Sequence, residues 1–388
     1  VGKIVYADNA ATTSLSKAAL TAMLPYMLGE YGNPSSAYSL GRSARDAVEN
    51  ARKTVAQCIH ASKAYEVIFT SGGTEADNQA LLIGSCIKPK EGKPHIITSA
   101  FEHHAVLHSV ERLEQQGCEV TYIPVNDKGL VKLSDLTAAI RPNTVMISIM
   151  YANNEVGTIQ PIQSIGALCR KKGILFHTDA VQAVGHVPIN VEEMKIDMLS
   201  MSGHKFHGPK GVGALYIREG CPLGKFIEGG EQENGLRGGT ENVAGIVGMA
   251  AALEECCERM VDNMVNVTRM RDKIADELSK IPKSCINGSM NWHVPGTLSM
   301  CFEGIDSEAL IMKMDAEGIC VSAGSACTTG DMNPSHVLQA MGVPPERIHG
   351  ALRISVNEDN TMADVDRIID SVKRNVKVLR MMSATWMG

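Results

Sequence analysis

The chain has no extended Lys/Arg run, no CxxC pair, no apolar stretch of membrane-spanning length, no internal repeat and no low-complexity linker. With a net charge of -6, the first absence argues against a nucleic-acid partner, whose phosphates call for clustered cations. Without CxxC or paired Cys/His spacing, no metal site is expected. The lack of a long apolar run argues against a membrane partner. A strand-like run over residues 3–7 opens the chain with no charged leader or cleavage site, so a cytoplasmic, bacterial-type location is expected. Eleven cysteines, an odd number scattered through the chain, read as reduced thiols. Cys58, Cys86, Cys169 and Cys301 fall among apolar residues and Cys256-Cys257 in a helical pattern, so these are expected to be buried and structural.

The 388 residues, 44% hydrophobic and 21% charged, are enough for two domains with a large core. Strands are expected over 66–71, 95–99, 119–125, 144–151 and 174–178, and again leading into and out of the segment 200–217. Helices are expected between them over 75–86, 103–116, 134–140 and 162–172. This alternation implies an α/β fold with a mainly parallel, doubly wound sheet. Helices over 15–28 and 41–60 precede it, the second with Ala44, Val48, Ala51 and Val55 on one face. Helical patterns over 243–260 and 264–278 follow. The latter begins a smaller α+β unit with strands over 297–302, 319–322 and 352–356 and a closing helix over 362–380. The expected division is a large domain, 15–255, and a small domain of 1–14 and 256–388.

Candidate functional residues fall where strands end, the edge at which open α/β sheets bind ligands. Lys205 lies in Ser202-Gly-His-Lys, between two strand-like runs, and Asp179 ends the run before it. Lysine forms Schiff bases with carbonyl cofactors, and a carboxylate keeps a pyridinium nitrogen protonated, the pairing that pyridoxal phosphate (PLP) enzymes use. Gly72-Gly73-Thr74 stands between a strand and a helix, where backbone N–H groups can receive an anion. His103 opens a helix at the same edge, and reads as either a structural or a cofactor-contacting histidine. Asn33 and Asn154 read as turn amides or as ligand amides. The segment from Gly229 to Asn242 is dense in glycine, charge and amides. Cys327 sits among small polar residues that leave it accessible, as a reactive thiol requires. Arg353, inside an apolar run, needs a partner: a substrate carboxylate or a buried acid.

Together these segments resemble the cysteine desulfurases of the class V, fold-type I PLP family over nearly the whole chain. The resemblance is carried by Asp8-Asn-Ala-Ala-Thr-Thr, Tyr31-Gly-Asn-Pro-Ser, Ser71-Gly-Gly-Thr-Glu, Glu102-His103 and Asn153-Asn-Glu. It continues in His177-Thr-Asp-Ala-Val-Gln, Ser202-Gly-His-Lys-Phe-His-Gly-Pro-Lys-Gly, Arg237-Gly-Gly-Thr-Glu-Asn and Gly324-Ser-Ala-Cys. It implies that Lys205 carries PLP, Asp179 pairs with the ring nitrogen and Gln182 bonds the phenolic oxygen. His103 and Val181 would flank the ring, His103 also exchanging protons. Gly73, Thr74, Ser202 and His204 would hold the phosphate, joined by Thr240 from a second copy in a homodimer. Arg353, Asn154 and Asn33 would bind the substrate carboxylate.

The implied reaction converts L-cysteine to L-alanine, with a persulfide left on Cys327 for a sulfur acceptor such as an iron–sulfur scaffold. The chain stops soon after its last helix, without the longer tail by which housekeeping relatives dock that scaffold, and Glu231 stands where relatives often have glycine. The alternatives are selenocysteine lyase, another class V PLP activity, or a sulfur-relay protein working without PLP.

Overall fold

The computed structural model describes residues 4–323, 334–383 and 386. Its first half runs β1 (Val5–Tyr6), α1 (Lys17–Leu28), α2 (Ser39–Cys58), β2 (Val67–Thr70), α3 (Gly73–Ser85), β3 (His95–Ser99), α4 (His104–Gln115), β4 (Glu119–Ile123), α5 (Leu133–Ala139), β5 (Thr144–Ser148) and α6 (Ile162–Lys172). There follow β6 (Leu175–Asp179), β7 (Met198–Ser202), β8 (Gly213–Ile217), α7 (Val243–Glu258), α8 (Met260–Leu278), β9 (Ser284–Asn287), β10 (Thr297–Phe302), α9 (Ser307–Ala316), β11 (Ile319–Cys320), α10 (His336–Ala340), α11 (Pro345–Ile348), β12 (Ala351–Ser355) and α12 (Met362–Met382).

Seven strands form the large sheet in the order β2-β8-β7-β6-β5-β3-β4. All neighbours pair in parallel except β8, which is antiparallel to both β2 and β7. Strands β2, β3, β5, β7 and β8 are buried along their whole length. Sheets of this kind are covered on both faces, so their strands read as near-continuous apolar runs. On α2, Ala44, Val48, Ala51 and Val55 all face the core, as their spacing predicts. Burial of each valine contributes on the order of 1.5–3 kcal/mol.

A second core gathers Val5 and Ala7 with residues of α8, β10, α9, β12 and α12. There β12, β10 and β9 form an antiparallel sheet, and β1 pairs in parallel with β11. The bridges Asp8–Ser355 and Ser322–Arg353 join these pieces. The N-terminal segment therefore packs with the C-terminal residues, while α7 packs into the first core. The expected 144–151 strand ends at Ser148, although the Ile149 and Tyr151 N–H groups still donate to the His177 and Asp179 carbonyls of β6; beyond them the Asn153 N–H turns to the Thr158 carbonyl. Strand β9 and helices α9, α10 and α11 complete the smaller unit. Among the described residues no helix is long and apolar enough to cross a membrane.

Cys169, Cys256 and Cys301 are buried and Cys58 and Cys257 only half-buried, whereas Cys86 is exposed, correcting its expected burial. It occupies the C-cap of α3, beyond the last residue that faces the sheet.

Candidate active site

The carboxyl ends of β6 and β7 and the N-terminus of α3 meet at one cavity. Helix α3 starts immediately after Gly72, whose backbone (φ 155, ψ -178) lies in a region open essentially to glycine alone. That turn brings Gly73 and Thr74 to the cavity wall, where first-turn N–H groups have no partner within the helix. A Cβ on Gly73 would come within 2.5 Å of Val181 Cγ2, so the packing leaves the helix end bare. Ser202 and His204 line the same region. Burial, then the charges of Lys205 and Lys210, hold His204 down at about 4, so it is a neutral hydrogen-bonding group at pH 7.

Lys205 follows β7 in a single 3-10 turn. Its Nζ donates to the carbonyls of Ala10 at 2.7 Å and Ala11 at 2.8 Å. These carbonyls belong to a strap, residues 8–13, that also bonds His204 through Thr12 and Thr13 and accepts from Gln182 Nε2 at Ala10. Asp179 ends β6 and accepts from the Val181 N–H at 3.0 Å. Burial pushes its carboxyl up to about 6, although the Val181 N–H and the Lys205 charge pull it down. His103 caps α4 by accepting from the Ala105 N–H at 3.1 Å. Burial, then Lys205 and the neighbouring histidines, hold it down at about 4, leaving a neutral imidazole.

Arg353 projects from β12, 2% exposed, and closes the side of the cavity nearest the smaller core. Its Nη2 lies 2.7 Å from Asp8 Oδ1 and its Nη1 donates to the Asn154 carbonyl at 2.9 Å. Both sequence readings of this arginine thus have a counterpart: it has an acidic partner and it faces the cavity. Asn154, Val181 and Gln182 also line the space.

Two proposed residues lie elsewhere. Asn33 is exposed and outside the cavity lining, and its side-chain oxygen accepts from the Ser35 N–H in a local turn. Thr240 is exposed and lines a separate recess with Arg237 and Ser71. Cys327 lies outside the described residues. Asp8 joins the site as the acid that meets Arg353, and Ala10 and Ala11 join it without having been assigned a role, since a backbone carbonyl has no sequence signature. The glycine-rich segment carrying Thr240 is tied down by Glu233, bonded to both nitrogens of the Arg52 fork and to the Phe69 N–H, and by Arg237 on Glu75.

The family model described as Aminotransferase class-V matches residues 5–368. The chain belongs to this family. A cysteine desulfurase IscS of Methanosarcina thermophila is 49% identical over 381 residues, 98% of this chain and 94% of that protein. One of Clostridium botulinum is 45% identical, with 100% and 98% covered. Among solved structures, a NifS-like protein superposes with a TM-score of 0.90 at 38% identity, covering 98% of this chain and all of that one. A structure described as SspA in complex with cysteine gives 0.79 at 36% identity, over 91% and 98% of the two chains.

Enzymes of this family that act on cysteine depend on PLP, and the residues present fit that group. A primary amine, a buried carboxylate and a bare helix N-terminus flanked by hydroxyls converge on one space, matching the aldehyde, ring nitrogen and phosphate of PLP. Among the described residues no group of three or more His, Cys, Asp or Glu side chains is arranged to hold a metal ion.

Proposed function

We propose that the chain is a PLP-dependent cysteine desulfurase that converts L-cysteine to L-alanine and retains the sulfur as a persulfide on Cys327. The observation that carries this reading is that Lys205, Asp179 and Arg353 line one cavity, in a chain whose full-length relatives are cysteine desulfurases.

PLP, when bound, supplies an electron sink for the pair left on the substrate's α-carbon. Gly73, Thr74, Ser202 and His204 hold its phosphate, Asp179 its ring nitrogen and Gln182 its phenolic oxygen, with Val181 and His103 against the ring. Lys205 would hold the cofactor, and its free amine would serve as the base for the α-proton of the substrate. Neutral His103 is a second proton carrier. Arg353, with Asn154, receives the substrate carboxylate. The Cys327 thiolate attacks the substrate sulfur, an S–S bond forms as the Cβ–S bond breaks, and the released pair takes a proton to give alanine.

Thr240, exposed and remote from its own cavity, is assigned to the phosphate of a second copy, so the working unit is a homodimer. The persulfide passes to an acceptor protein such as an iron–sulfur scaffold, and reduced thiols are in keeping with a cytoplasmic setting.

Anaerobic turnover of L-cysteine by the PLP-loaded protein tests the reading. Equal amounts of alanine and sulfide, lost in Cys327→Ser, are expected. Alanine formation unaffected by that substitution would rule out the persulfide route. Turnover confined to selenocysteine would favour a lyase instead.

A further inference from the structure

Asp77 lies on α3, one turn beyond Gly73 and Thr74, and lines the cavity together with Asp179. It is 1% exposed, and its Oδ1 has no hydrogen-bond partner among the described residues. Opposite it, β6 presents His177 and Asp179, which share one face of the strand because side chains alternate. Asp77 Oδ1 is 3.6 Å from His177 Nε2. The His177 ring is held at both nitrogens, by Ser148 Oγ at 2.8 Å and Ser200 Oγ at 3.0 Å. Burial holds this histidine down at about 3, so it offers Asp77 no positive charge.

The other groups facing this space do not neutralise Asp77 either. Glu102, ahead of α4, is a third buried carboxyl; it accepts from Ser99 Oγ and the Met150 N–H, and burial pushes it up to about 8. His103 is neutral at pH 7, and the Lys205 charge acts on Asp179. Burial, then the charge of Asp179, lift the Asp77 carboxyl well above the usual range. Two carboxyls sharing a dry site do not both ionise.

We propose that Asp77 is a positioning residue for the cofactor's ring-nitrogen site: it keeps the proton of an Asp77–Asp179 pair, leaves Asp179 as the ionised partner, and backs β6 at His177. The inference rests on the PLP reading of this cavity. A carboxylic acid behind Asp179 confines the negative charge to the oxygens that meet the ring nitrogen. A carboxylate at Asp77 would instead place a second charge on the sheet side of the cavity, with no cation to meet it.

The test compares Asp77→Asn, Asp77→Ala and Asp179→Asn for release of PLP from the holoenzyme on dilution, for the pH profile of the bound cofactor's absorbance, and for alanine formation. Asparagine keeps the shape and neutral charge of a protonated aspartate. Asp77→Ala is expected to weaken PLP retention roughly ten- to hundredfold, as loss of a buried polar partner does. Asp77→Asn is expected to restore it to within about threefold of the parent and to restore the absorbance profile. An Asp77→Asn protein as impaired as Asp179→Asn in retention and profile would overturn the proposal, because Asp77 would then act as a charge. A fully retentive Asp77→Ala would overturn it too. If the alanine variant does not fold, the comparison of the two asparagine variants decides. A parent protein that binds PLP but forms no alanine refutes the desulfurase reading and leaves this comparison intact, whereas one that takes up no PLP overturns both.

Discussion

The guanidinium of Arg353 is held 2.7 Å from the carboxylate of Asp8, a residue 345 positions earlier in the chain. One nitrogen of the fork meets Asp8 and another the Asn154 carbonyl, so the cavity's arginine is held by the N-terminal segment and by the turn after β5.

Arg353→Lys keeps the charge but loses the planar fork. KM for L-cysteine is expected to rise about tenfold or more, with a smaller fall in kcat, as loss of a carboxylate clamp requires. Asp8→Asn, which retains an acceptor, is expected to change KM much less. Steady-state alanine formation in both variants checks this; equal effects would mean that Asp8's charge and the fork's shape matter alike.

Lys205→Ala removes the amine that meets Ala10 and Ala11. Turnover is expected to disappear, and reduction with borohydride should no longer attach PLP to the protein. Mass spectrometry of the reduced protein reads this directly, and a PLP adduct elsewhere would reassign the attachment site.

Arg52 and Glu233 form a buried pair, 5% and 3% exposed at the side chain, linking α2 to the segment that carries Thr240. Removing one partner strands the other, so Glu233→Ala is expected to cost about 3–5 kcal/mol in denaturant unfolding. A loss below about 1 kcal/mol would place this pair with exposed ones.

His207 meets Glu358 at 3.5 Å, joining the loop after Lys205 to the smaller core. Burial alone would lower His207, but the hydrogen bond and charge of Glu358 outweigh it and raise it above 6.5. Burial likewise opposes ionisation of Glu358, yet His207 brings it down to about 2. The stability from His207 is therefore complete below pH 6.5 and fades as pH rises through its raised folded value; that from Glu358 is present above pH 4.5 and fades toward pH 2. Glu358→Gln is expected to lower the melting temperature more at pH 6 than at pH 9. A pH-independent difference would show that the pair is not ionic.

Periodicity, a local property, was enough for the succession of strands and helices along the chain and for the buried face of α2, because strand and helix spacing decide which side chains share a surface, whereas the order of strands in the sheet was set by packing. Position at strand ends likewise marked Lys205, Asp179 and Gly73, since a sheet gathers the carboxyl ends of its parallel strands at one edge. The sequence left open whether Arg353 had a protein partner, and it gave no sign that Ala10 and Ala11 supply carbonyls to Lys205. Nor did it mark Asp77, which reads as one polar residue of a helix until α3 lies against the face of β6 that bears His177 and Asp179. These relations join residues from 100 to 345 positions apart, and only packing of the whole chain brings such groups within hydrogen-bonding or charge-coupling reach.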